Sequence, residues 1–101
     1  MEDLSKKNTF PRFWNFTVNQ SCTKVILPGQ AMRVYIGSKD TALFMSQDGS
    51  IEGQTPPTHK GFIPKDNYFP LIMGRGSNRV NEIFICSQTG SAEVSLILME
   101  E

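Results

Sequence analysis

Leu27-Pro28-Gly29-Gln30-Ala31-Met32-Arg33-Val34-Tyr35-Ile36-Gly37-Ser38-Lys39-Asp40-Thr41-Ala42-Leu43-Phe44-Met45-Ser46-Gln47-Asp48-Gly49 is the run that decides the fold. Met32, Val34 and Ile36 fall on one side of an extended chain, with Arg33 and Tyr35 on the other, which is the period of a half-buried strand. Pro28 presets φ and Gly29 accepts a positive φ, so the pair predicts a turn before that strand. Gly37-Ser38-Lys39-Asp40 predicts the next turn, residues 41–46 the next strand, and Asp48-Gly49 its end.

The same punctuation extends in both directions. Upstream, Trp14, Phe16 and Val18 share a face opposite Asn15 and Thr17, and residues 22–27 form a second extended run rich in β-branched residues. Downstream, residues 68–73 read as a strand in which Pro70 favours an edge, because proline cannot donate to a ladder. Residues 80–86 and 92–99 read as a closing antiparallel hairpin across Ser87-Gln88-Thr89-Gly90-Ser91. No stretch keeps a helical period over three turns. The expectation is an all-β fold: an antiparallel, jelly-roll-like β-sandwich of seven or eight short strands, spanning residues 12–101, with an extended N-terminal arm at residues 1–11. In Val25-Ile26-Leu27, Leu71-Ile72-Met73 and Leu96-Ile97-Leu98-Met99 both faces are apolar. Strands of that kind are covered on both sides, by a second sheet and a loop or by another subunit, so self-association as a dimer or trimer is expected.

With 101 residues the chain has room for one domain and a modest core. Its formal net charge is 0 and its pI about 6.6, so no long-range field draws it to nucleic acid or to an anionic membrane. The N-terminal residues carry no apolar stretch of secretory length, and no segment approaches the roughly 20 apolar residues of a membrane span. These features predict a soluble protein made in a cytoplasm, with neither nucleic acid nor membrane as partner. Cys22 and Cys86 read as free buried thiols, with a single bridge between paired strands as the alternative. His59 is the single histidine, and without Cys-x-x-Cys spacing the chain offers no transition-metal ligand set. No cofactor is expected.

Nothing in the residue pattern marks a reaction. Glu82 and Glu93 fall within the predicted closing hairpin, yet no cleft is indicated to hold them as an acid and base pair. The serines lack a G-x-S-x-G elbow, and His59 has no positioned acid near it in sequence. Gly74-Arg75-Gly76-Ser77-Asn78-Arg79 offers amides and guanidinium groups to an anion but not the spacing of a Walker loop; a solvated surface loop is the plainer reading. Arg33 and Tyr35, with Lys24 and Lys39, suit an OB-type nucleic-acid face in residue type, against which the zero net charge counts. Asn15-Phe16-Thr17 and Asn19-Gln20-Ser21 match the glycosylation pattern, which means little without a secretory signal.

Two segments read as partner-facing. Residues 6–13 combine Lys6, Lys7, Phe10, Arg12 and Phe13 without a period, and exposed aromatics on an arm anchor a partner surface. Residues 51–67 are long for a connection and contain Pro56, Pro57, His59, Lys60 and Phe62. The rival use of the aromatics, with Trp14 and Tyr35, is a carbohydrate or other ligand-binding β-module.

The Leu27 to Gly49 run, with Ile83-Phe84-Ile85-Cys86 and Thr89-Gly90-Ser91-Ala92-Glu93-Val94-Ser95-Leu96, resembles small β-sandwich virion proteins of tailed bacteriophages. In that group a strand ending in Leu-Pro leads through a Gly-containing turn into an Arg-Val strand, and a Thr-Gly-x-Ala-x-Val segment closes the sandwich. The resemblance covers about half of the chain. Its third-strand turn is Gly37-Ser38, where such proteins more often place Asn before the glycine. The resemblance implies a head decoration or cement protein on the capsid surface, bound to major capsid protein or another virion protein and oligomeric. Its work would lie in buried area, not in catalysis.

Overall fold

A computed structural model of the chain describes residues 1–5, 12–28, 32–58, 60–73 and 82–100. The strands are β1 (Glu2–Asp3), β2 (Arg12–Val18), β3 (Thr23–Ile26), β4 (Met32–Gly37), β5 (Leu43–Ser46), β6 (Gly61–Ile63), β7 (Tyr68–Met73), β8 (Glu82–Ser87) and β9 (Ala92–Glu100), with a short 3-10 turn at Gly49–Ile51. They form two sheets. Sheet A has the order β1-β3-β8-β5-β6 and sheet B the order β2-β9-β4-β7. Every pairing is antiparallel except that of β1 with β3. The all-β expectation holds, and no described helix is long and apolar enough to cross a membrane.

Consecutive strands change sheet at almost every step; β5 and β6 alone stay together as a hairpin. The expected closing hairpin is therefore corrected. β8 lies between β3 and β5 in sheet A, whereas β9 lies between β2 and β4 in sheet B. The segment between them is a corner linking the sheets, held by the Ser87 hydroxyl, which donates to the Gly90 carbonyl, and by Gly90 at φ 59°. Glu82 and Glu93 consequently sit in different sheets, and Glu82 pairs with Lys24 at 3.7 Å.

The alternation read from the sequence sets the inner faces. Phe16 and Val18 of β2, Val34 and Ile36 of β4, and Val94, Leu96 and Leu98 of β9 meet Val25, Leu43, Met45, Ile63, Ile83 and Ile85 of sheet A in one buried cluster. Trp14 and Leu71 pack against it half-buried. Pro70 lies on the edge strand β7, opposite Tyr35 of β4, as a proline in a strand predicts. Gly37 ends β4 where a Cβ would run into the Asn67 carbonyl and the Tyr68 ring, so the close approach requires glycine.

Residues 1–5 depart from the sequence reading of an arm without a core element. Glu2 and Asp3 add a parallel strand to β3, the Leu4 amide donates to the Ile26 carbonyl at 2.7 Å, and Leu4 is fully buried in the main cluster. A single leucine in a charged segment carries no period, which is why its burial was not legible. Residues 6–11 lie outside the described residues.

Candidate interaction site

Sheet A has a second apolar layer on its outer side. Strand register places Phe62 opposite Phe44 and Phe44 opposite Cys86, and Cys22 precedes β3 beside Cys86. Phe84, Cys86, Cys22 and Ile51 form a buried cluster with Phe44 at its margin. This explains the unbroken apolar run of β8: Ile83 and Ile85 enter the main core, while Phe84 and Cys86 enter the second one.

Residues 47–58 roof that layer. The Asp48 carboxylate accepts the Ser50 amide at 3.0 Å and starts the 3-10 turn, which presses Ile51 onto Phe84 and the cysteines. The Gly53 amide donates to the Cys22 carbonyl at 2.8 Å, and the Cys22 amide to the Gln54 carbonyl at 3.2 Å, so the roof is stitched to the segment entering β3. Gln54 organises the rest of the loop, accepting the Thr58 amide at 2.8 Å and the Thr58 hydroxyl at 3.1 Å through Oε1. The Thr55-Pro56 peptide is cis.

The free end of this roof borders a cavity of about 350 Å³ lined by Gln20, Phe44, Thr55, Pro56, Lys60, Ser87 and Gln88. Lys60 Nζ donates to the Pro57 carbonyl at 3.0 Å and stands 4.8 Å from the Phe44 ring centroid, while the rings of Phe44 and Phe62 lie 6.0 Å apart. Gln20 Nε2 donates to the Gln88 carbonyl at 3.2 Å on the opposite wall. An apolar floor, an anchored cation and amide groups together suit one side chain of a partner, aromatic or acidic at its tip.

No protein family, curated protein or solved structure matches this chain.

Of the residues expected to face a partner, Pro56 and Lys60 line this cavity, and Phe62, 54% exposed, stands beside it against Phe44. Pro57 is buried and contributes only its carbonyl to Lys60. Arg12 and Phe13 belong to β2 in the other sheet, so the two expected segments do not share one face. Arg12 leans over Trp14, 5.6 Å from the ring centroid, whereas Phe13 points outward at 68% exposure. Lys6, Lys7, Phe10, His59 and the 74–79 loop lie outside the described residues. Phe44, Gln20 and Gln88 were missed by the sequence reading; the signal for Phe44 was the double-faced apolar triplet Leu43-Phe44-Met45.

Cys22 and Cys86 are free thiols with their Sγ atoms 2.8 Å apart. Burial pushes the Cys86 thiol up to about 12, the neighbouring Cys22 adding to the shift, and burial raises Cys22 as well. Both are thus held protonated at neutral pH, the wrong state for a nucleophile. Among the described residues no three His, Cys, Asp or Glu side chains gather around a common point.

Proposed function

We propose that this chain is a virion structural protein of a tailed bacteriophage, not an enzyme, and that it decorates or cements the capsid by binding major capsid protein subunits or another virion protein. Made in the host cytoplasm, it would act at the capsid surface. The observation that carries this reading is the strand order. Two mostly antiparallel sheets, ordered β2-β9-β4-β7 and β1-β3-β8-β5-β6, with the chain passing between them at almost every step, support a sandwich of the jelly-roll-like kind expected from the sequence. That architecture recurs in capsid proteins, and the resemblance of residues 27–49 to phage decoration proteins points the same way. Architecture alone assigns no function, so the reading also draws on the Phe44, Lys60 and Phe62 surface as its contact point.

Co-sedimentation with capsids assembled from the major capsid protein of the same phage tests the proposal. Saturable binding is expected, weakened about 30-fold or more by Phe62→Ala. Absence of binding to both immature and expanded capsids would sink it.

The cavity walls favour a second reading, a ligand module that accepts a sugar or similar polar group between Gln20, Gln88 and Lys60. Trp14 does not serve as its platform, because its indole N–H is bound to Glu2 and Arg12 lies over its ring. Glycan-array hits abolished by Phe44→Ala, without capsid binding, would put this reading first.

A further inference from the structure

The two outer faces of the molecule are treated differently. Sheet A is roofed by residues 47–58, whereas among the described residues nothing roofs sheet B. Register draws Phe13, Ile97, Tyr35 and Pro70 into one row that crosses all four strands of sheet B. The adjoining row holds Met99, Arg33 and Ile72. Phe13, Ile72 and Met99 are 68%, 64% and 43% exposed. Isolated exposed apolar residues are ordinary, but a continuous band of this kind marks an interaction surface.

We infer that this face is a homodimer interface, in which the outer side of sheet B packs against the same face of a second copy about a two-fold axis. Size is the first argument. Four strands about 4.8 Å apart and about six residues long at 3.4 Å each give a footprint of roughly 400 Å². Side-chain relief raises the accessible area to roughly 600 Å² per copy, so a face-to-face pair buries on the order of 1,200 Å², the lower end of the range for a specific interface. Charge is the second argument. The face carries Arg33 near one end and Glu93 near the other, and the whole chain has formal net charge 0, so apposed copies meet no excess of one sign. With Lys39 and Asp40 beside Glu93, the band is flanked by charges of both signs in equal number, which suits an isologous contact. The inference stands apart from the capsid-binding reading, which uses the other sheet.

Sedimentation velocity of the full chain across a concentration range tests it. The expected result is a monomer and dimer equilibrium in which Phe13→Asp and Ile72→Asp each raise the dissociation constant about 100-fold or more, with circular dichroism unchanged. Phe13→Ser serves as a milder variant should an aspartate disturb folding. Phe62→Asp, on sheet A, is expected to remain dimeric even where it abolishes capsid binding, which separates the two proposals. A wild-type monomer at all concentrations, a trimer, or a dimer indifferent to Phe13 and Ile72 would each overturn the inference.

Discussion

The indole N–H of Trp14 donates to Oε1 of Glu2 at 3.0 Å, and this bond joins the edge strand of one sheet to the edge strand of the other. Glu2 lies in β1 and Trp14 in β2, so the contact closes the open side of the core beside Leu4. A part-buried bond of this type contributes about 1 kcal/mol. Glu2→Gln retains an acceptor and should be nearly neutral, whereas Glu2→Ala should lower Tm by about 4–8 °C. A double-mutant cycle with Trp14→Phe, followed by calorimetry, should return a coupling of about 1 kcal/mol; full additivity would mean the bond adds nothing.

Leu4→Ala separates a docked N-terminus from a loose one. Because Leu4 is fully buried, the truncation should cost about 2–4 kcal/mol in urea unfolding. A loss within about 0.5 kcal/mol would be that of a surface position.

At Gly37, alanine would place its Cβ against the Asn67 carbonyl and the Tyr68 ring. Backbone yields less readily than the tip of a flexible side chain, so a loss of about 1–3 kcal/mol is expected, with loosening of the 64–67 turn. Amide exchange would locate it: faster exchange at Asp66, whose amide donates to the Ser38 carbonyl at 2.7 Å, is the signature.

The buried thiols give stability an alkaline dependence. Cys86 moves from its ordinary value of 9.0 to about 12, and Cys22 moves the same way. Between those limits the unfolded chain loses a proton that the folded chain keeps, so stability is fully present below pH 9 and declines as pH rises toward 12. Urea midpoints measured from pH 8 to pH 10.5 should fall more steeply for the wild type than for Cys86→Ala. Parallel curves would show that burial of this thiol does not govern the decline.

Much of the fold was legible because burial in a sheet imprints a period of two. Trp14-Asn15-Phe16-Thr17-Val18 and Met32-Arg33-Val34-Tyr35-Ile36 announce both strand and face, and Pro70 announces an edge. Pairing was less legible. The turn residues at 88–91 serve a hairpin and a corner between sheets equally well, and only the destinations of β8 and β9, fixed by long-range contacts, distinguish them. The candidate site was legible in part. Pro56, Lys60 and Phe62 stood out as a polar, proline-rich excursion, whereas Gln20 and Gln88 reach the cavity from distant segments. Phe13, placed on an arm by its neighbours in sequence, belongs to a strand because Ile97 lies opposite it.

The placement of β9 bears on how the protein is made. β9, the most C-terminal of the described strands, occupies an inner position of sheet B, and β8, the strand before it, an inner position of sheet A. Neither sheet can be completed until residues 82–100 are free to join it. Until then β2, β3, β4 and β5 wait with unpaired edges, the condition in which chains stick to one another. Shielding of those edges until β8 and β9 arrive is therefore a separate requirement from the stability of the finished molecule.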